Sequence, residues 1–199
     1  MKSITAIILL SVVALASALA LFIPQAPYTP IWHPMMGGMM GLNPTSNPIS
    51  HDRAFEIAEA YLRSLNNPDL TIGEFEEYSN NFYLSIIEKS SGRGAIELII
   101  DRYNGRMHPE PQSMMWNTKY SMMLKPNEEL RVTEAQAMEI AQKFLNTAYP
   151  NTKVGEVVAY YGYYTLMTTL NGGHYGMLSV NGYTGAVWYH TWHGAFIAE

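Results

Sequence analysis

The feature that most constrains this chain is an internal repeat. Ile49-Ser50-His51-Asp52-Arg53-Ala54-Phe55-Glu56-Ile57-Ala58 aligns with Val132-Thr133-Glu134-Ala135-Gln136-Ala137-Met138-Glu139-Ile140-Ala141, and Tyr61-Leu62 then faces Phe144-Leu145. The offset is 83 residues. Further along, Tyr103-Asn104-Gly105 matches Tyr183-Thr184-Gly185 at an offset of 80, so only the loops between differ in length. Two copies are fewer than the roughly three that a solenoid needs. A tandem or pseudo-symmetric pair is therefore expected.

Each copy opens on a helix. Ser50 and Thr133 suit the N-cap, where a hydroxyl satisfies a free backbone N–H. Thr133 and Gln136 have the reciprocal capping-box spacing. Ala54, Ile57, Ala58, Tyr61, Leu62 and Leu65 recur at steps of three and four. Ala137, Ile140, Ala141, Phe144, Leu145 and Ala148 do the same. Each set is one buried stripe on an amphipathic helix. Asn67-Pro68 and Pro150-Asn151 stop these helices.

Strands follow in both copies. In the first they span 72–78, 81–88, 95–101 and 106–108, with the tight turn Tyr103-Asn104-Gly105 before the last. In the second they span 154–160, 162–169, 175–181 and 186–190. Short loops make neighbouring strands antiparallel. The expected fold class is α+β: two repeated modules, each one helix packed on an antiparallel meander of three or four strands.

At this point the residues resemble the PepSY domain family. The likeness rests on the helix pattern of alanine, isoleucine-alanine and aromatic-leucine. It rests also on the strand and turn Ile99-Ile100-Asp101-Arg102-Tyr103-Asn104-Gly105-Arg106-Met107, with its counterpart Leu178-Ser179-Val180-Asn181-Gly182-Tyr183-Thr184-Gly185-Ala186-Val187. It covers residues 49–109 and 132–190. The resemblance implies small α+β modules outside the cytoplasm, often tandem and often membrane-tethered. Some members lie in propeptides of thermolysin-like metallopeptidases, where they inhibit or chaperone the protease. No His-Glu-x-x-His and no peptidase segment occur in these 199 residues, so inhibition in cis is not expected. The family offers no catalytic residues to transfer.

The segment before the repeat reads as an address and a tether. Residues 4–23 form one apolar run behind Lys2, and no Asp, Glu, Lys or Arg occurs between Lys2 and Asp52. Small residues at 16–18 and 18–20 suit signal cleavage. The run is also about the 20 residues that a spanning helix requires. A cleaved signal peptide and a retained anchor both fit, and both place the rest outside the cytoplasm. Residues 24–48 hold six prolines and three glycines and read as an extended linker. The expected divisions are 1–23, signal peptide or membrane anchor; 24–48, linker; 49–131, first module with its connecting segment; and 132–199, second module.

Composition removes several function classes. The chain has no cysteine, so disulfides, thiolate nucleophiles and cysteine zinc sites are out. A net charge of −5 argues against a nucleic-acid surface. No Gly-x-Ser-x-Gly, phosphate loop or dinucleotide fingerprint appears. An enzyme is not expected, and no catalytic residue is assigned.

Two segments carry chemistry. His33, Met35, Met36, Met39 and Met40 lie close together in the linker. Thioether and imidazole donors favour Cu(I) and, by extension, Ag(I). The competing reading is an apolar linker, since methionine fills irregular gaps. The second segment is aromatic: Tyr160-Tyr161-Gly162-Tyr163-Tyr164 and Trp188-Tyr189-His190-Thr191-Trp192. The second copy has only six charged residues from Thr133 onward, so this face either packs on the first module or meets a partner. Tyr161, Tyr163, Trp188 and Trp192 are the candidate partner-binding residues.

The remaining polar residues are expected to be ordinary. His190 and His193 are three apart beyond an expected strand, which would put the rings on opposite faces with no acidic third ligand. His51 and His174 read as surface residues. Glu74, Glu76 and Glu77 read as a solvated strand face. The expected function is a non-enzymatic, extracytoplasmic protein without a cofactor that binds or regulates another protein, such as a peptidase or an envelope complex. The alternative is Cu(I)/Ag(I) binding through the linker.

Overall fold

A computed structural model describes residues 47–121 and 129–199. The expected signal or anchor and almost all of the linker lie outside the described residues. The first copy runs α1 (His51–Ser64), β1 (Leu70–Tyr78), β2 (Asn81–Glu88), β3 (Gly94–Asp101) and β4 (Met107–Pro109). A short helix α2 (Pro111–Trp116) lies in the connection. The second copy runs α3 (Glu134–Ala148), β5 (Thr152–Ala159), β6 (Tyr163–Leu170), β7 (Gly173–Asn181) and β8 (Val187–Tyr189). A last strand, β9 (Phe196–Ala198), closes the chain. The fold is α+β, with two antiparallel sheets each packed by one helix. The sheet orders are β4-β3-β2-β1-β9 and β5-β6-β7-β8.

The copies solve the same local problems with the same residues. Ser50 Oγ accepts from Arg53 N at 3.2 Å, and Thr133 and Gln136 form the full capping box. Ala54 and Ala58 on α1, and Ala137 and Ala141 on α3, are fully buried. Small residues at i and i+4 let each helix lie close on its sheet. Behind them Phe82, Leu84, Ile86, Leu98 and Ile100 form one core. Leu145, Tyr164, Leu166, Leu178 and Val180 form the other. Ala148, expected in the stripe, is exposed at the end of α3.

The turn before the last strand repeats in detail. Asp101 Oδ1 accepts from Tyr103 N and Asn104 N, both at 2.9 Å. Asn181 Oδ1 accepts from Tyr183 N and Thr184 N, both at 3.0 Å. Gly105 and Gly185 then take φ of 67° and 72°, the left-handed region that glycine enters without penalty. Both glycines also face a helix isoleucine, and the isoleucines are repeat equivalents. A Cβ at Gly105 would lie 2.9 Å from Ile57 Cδ1, and one at Gly185 would lie 3.2 Å from Ile140 Cδ1.

The sequence left open what covers the second face of each meander; the central strands of both sheets are buried on both faces. Strand alternation sends Tyr83 and Ser85 on β2, Glu97 on β3, Thr165 on β6 and Ser179 on β7 away from the helices, and all are buried. The two sheets meet on these faces. Tyr83 OH lies 3.3 Å from Tyr160 OH, and Gly94 bridges Tyr160 directly. Tyr78, Tyr83 and Met177 form a small third cluster, with Phe196 of β9 packed on it. β9 was not expected. It pairs with β1 and so adds the end of the second copy to the sheet of the first.

The turn glycines test this picture. Gly105→Ala should cost more than the ~1–2 kcal/mol of a left-handed residue, because the contact with Ile57 adds to it. Gly92→Ala, with φ of 68° and open space around it, should cost only the backbone part. Urea unfolding of the variants should therefore rank them Gly105, Gly185, Gly92; equal losses would remove the helix contact from the explanation.

Candidate functional site

The polar layer between the sheets has a focus at Glu110, in the connection between copies. Pro109 ends β4, and Glu110 takes an extended conformation as the N-cap of α2. Its N–H donates to Glu97 O at 2.9 Å. Ser113 Oγ accepts from Glu97 N at 3.0 Å, and Asn117 Nδ2 donates to Ala95 O at 2.7 Å. The connection therefore satisfies the edge of β3 where β4 has stopped, as buried backbone requires. This holds the Glu110 carboxylate inside the molecule at 0% exposure.

The second copy delivers two imidazoles to the same place. β8 ends at Tyr189, and His190 N donates to Met177 O at 2.9 Å. The chain then turns instead of extending, so His190 and His193 face one another across 5.6 Å rather than pointing apart. The β1–β2 turn grips this segment. Asn80 N donates to His193 O at 3.1 Å, and the Asn80 and Asn81 side-chain amides both donate to Trp192 O. Thus the expectation of opposite faces fails, because the strand stops one residue before His190. The expectation of no acidic neighbour fails because Glu110 is brought from 80 residues away.

The resulting cluster is closed to solvent. His193 Nε2 lies 2.9 Å from Glu110 Oε1, and His190 Nδ1 lies 3.4 Å from Glu110 Oε2. Beyond this carboxylate neither ring nitrogen has a polar partner. The far sides of the rings are held. His193 Nδ1 is 2.7 Å from Asn81 Oδ1, and His190 Nε2 is 3.0 Å from Ser179 Oγ, which contacts Thr165 Oγ1. Trp192 Nε1 donates to Glu110 Oε1 at 3.1 Å. Gln112 Nε2 donates to Glu110 Oε2 and, at 3.0 Å, to Glu97 Oε2. Trp192 stacks on His190, and Tyr78 stacks on His193.

Two buried carboxyls this close divide one charge. Burial and the neighbouring Glu110 charge push Glu97 up to about 8. Burial acts against the charge on Glu110 too, but the rings of His193 and His190 and the Gln112 amide outweigh it and hold that carboxyl low. Burial pushes His190 down to about 3. The two carboxyls are thus pushed in opposite directions, Glu97 up and Glu110 down.

The sequence candidates separate in space. Tyr163 is fully buried and stacked on Tyr160 at 4.8 Å, so it is not a surface contact. Burial follows from strand parity, which turns it to the sheet interface. Tyr161 is half-buried, and its hydroxyl donates to Glu88 Oε2 at 2.7 Å. Trp188 and Trp192 do come together, 5.9 Å apart, and Trp116 extends the row at 5.7 Å from Trp188. His33, Met35, Met36, Met39 and Met40 lie outside the described residues.

Two readings of ordinary surface are also corrected. His174 sits on β7 at the sheet interface, 2.8 Å from Tyr78 OH. Glu76 is 1% exposed and accepts from Tyr78 OH at 2.7 Å. Burial pushes its carboxyl up to about 8 against that hydrogen bond. Sequence reasoning missed Glu110, Gln112 and Glu97. Only Glu97 left a signal, as a lone acid in the apolar run of β3.

Glu88 is the second junction between the copies. Its carboxylate accepts from Lys119 Nζ at 2.5 Å, Tyr120 OH at 2.6 Å, Ser91 OH at 2.7 Å and Tyr161 OH at 2.7 Å. Burial would raise its carboxyl, but these donors outweigh burial and hold it at about 2, below the ordinary 4.5. A depressed carboxyl stabilises the fold above its unfolded value and stops doing so as pH falls through the folded one. Glu88→Gln should therefore lose ~1–3 kcal/mol at about pH 7. The gap to wild type in urea unfolding should close between about pH 5 and pH 2. A gap constant over that window would show that the charge is not what the donors stabilise.

No family model matches the sequence, and no curated protein matches it. Among solved structures, the C-terminal domain of YpeB from Bacillus megaterium is similar at 15% identity and a TM-score of 0.28, over 71% of this chain and 62% of that one. The likeness is too distant to bear on function. Among the described residues, no helix is long and apolar enough to cross a membrane.

Proposed function

We propose that this chain is a non-enzymatic pair of PepSY-type modules that works outside the cytoplasm by binding another protein. The observation that carries the reading is the tryptophan row beside the connection. Trp116, Trp188 and Trp192 are half-buried in sequence, one against the next. Met114 and Met115, on the same short helix as Trp116, are 40% and 44% exposed. Tryptophan and methionine are enriched where proteins meet, and large rigid rings contribute much of the binding energy. The closed cluster beneath the row supports a binding role over catalysis, since its acid and imidazoles are out of reach of a substrate. An apolar run at 4–23 supports export of the folded part.

Photo-crosslinking in source cells tests this reading. A crosslinking side chain placed at Met115 in the full chain should give one discrete protein adduct, lost in Trp188→Ala. The same group at exposed Glu139 on α3 should give none. No adduct at Met115, or the same adducts at both positions, rejects the surface. Protease added to spheroplasts should degrade the protein without lysis; protection until lysis rejects the location.

The methionine-rich linker carries a second reading, Cu(I) or Ag(I) binding by His33, Met35, Met36, Met39 and Met40, on the softness of those donors. Anaerobic Cu(I) competition should show stoichiometric binding that is lost when the four methionines become leucine. No binding by the wild type ends this reading.

A further inference from the structure

We propose that Glu110, His190 and His193 form a site for one divalent transition-metal ion of the zinc type, which fastens the connection and the C-terminal segment to the first sheet. The inference goes beyond partner binding and does not rest on it. Its starting point is the orientation of His193. Asn81 Nδ2 donates to Trp192 O, so Asn81 turns its carbonyl oxygen to the ring, and His193 Nδ1 must supply the proton at 2.7 Å. A neutral His193 then points the lone pair of Nε2 into the cluster. His190 Nε2 contacts the Ser179 hydroxyl at 3.0 Å; in the tautomer where Nε2 carries the ring proton, Nδ1 presents a lone pair to the same carboxylate.

Three potential ligand atoms thus converge on one point. The three ligand atoms lie within 4.8 Å of one another, and all three residues are buried. Neither ring nitrogen has a polar partner other than the Glu110 carboxylate. A buried carboxylate needs a positive charge. Among the described residues no Lys or Arg forms an ion pair with Glu110. A cation at the centre supplies that charge and satisfies both nitrogens at once.

The donor set selects the class of ion. Two imidazoles and one carboxylate suit Zn2+ and its borderline neighbours. Calcium and magnesium would require more oxygen ligands. Bonds of about 2.0–2.2 Å in a tetrahedral site place ligand atoms roughly 3.3 Å apart. His193 Nε2 lies 2.9 Å from Oε1 and His190 Nδ1 lies 3.4 Å from Oε2, so each imidazole faces its own carboxylate oxygen across about that span. The surrounding hydrogen bonds are of the kind that orient metal ligands. Asn81 and Ser179 fix the ring rotations, and Trp192 and Gln112 fix the carboxylate, which still has lone pairs to give. A solvent molecule would complete the fourth position.

The test uses the full chain, purified without a metal-affinity step, stripped with chelator during unfolding and refolded with Zn2+ or Co2+. Neither ion favours the linker thioethers, so the site is separated from Cu(I) binding. The wild type should bind one ion per chain by elemental analysis. Co2+ should give the visible bands of a tetrahedral nitrogen–oxygen site. Zn2+ at a hundredfold excess over Kd should raise Tm by roughly 5–10 °C. His193→Gln and Glu110→Gln, if their circular dichroism is that of the folded protein, should lose the bands and the shift. If the variants do not fold, the wild type decides alone through stoichiometry and the Co2+ spectrum. No bound ion and no bands would overturn the proposal, leaving a proton shared between His193 and Glu110 to account for the cluster. Equal binding by wild type and folded variants would overturn it too, by placing the ion elsewhere.

Discussion

The structure depends on the burial of two polar sheet faces against each other. Each module has an ordinary apolar core between its helix and sheet. The outer sheet faces carry Tyr83, Ser85, Glu97, Tyr163, Thr165 and Ser179, and each is removed from water by the other copy. A buried polar group left unpartnered costs ~1–3 kcal/mol. Pairing offsets that cost where it is made, as between Tyr83 and Glu97 and between Thr165 and Ser179. Glu110 is where that pairing is most demanding, because it brings a full charge inside.

The connection and the C-terminal segment break the repeat, and both do so in the service of this interface. Gln112 and Ser113 lie on α2, a helix with no counterpart in the other copy, and Asn117 lies just after it. They line the edge of β3 and carry donors into the layer. The tail after β8 crosses back to the first sheet, places His193 against Tyr78 and Asn81, and ends as β9 on the edge of β1. That last strand covers an edge which would otherwise be open to pairing with another chain. The two copies are thereby sewn together by the connection and by the C-terminal segment, with Glu88 and Tyr161 as a further stitch.

The same geometry divides the surface from the interior. The rings that the connection and tail present outward are tryptophans with one face or edge free, and Trp192 belongs to both worlds. Its indole N–H donates to Glu110 while its ring stacks on His190.

By itself the sequence determined whatever depends on local chemistry. The helices, their caps and stripes, the meanders and the paired Asx turns follow from periodicity and from residues whose partners lie three or four positions away. The repeat made those assignments twice over. Only the tertiary structure decided what the outer sheet faces do. Strand alternation sorts residues into two faces but does not say what covers each, so Tyr163, Glu76 and His174 looked like surface until the second sheet was in place. The cluster was invisible for the same reason. Glu110 and His193 are 83 residues apart, and nothing in the spacing of either announces the other. Their meeting rests on a strand that stops at Tyr189 and a tail that turns back, and both are settled by contacts with Asn80 and Asn81 on the other module.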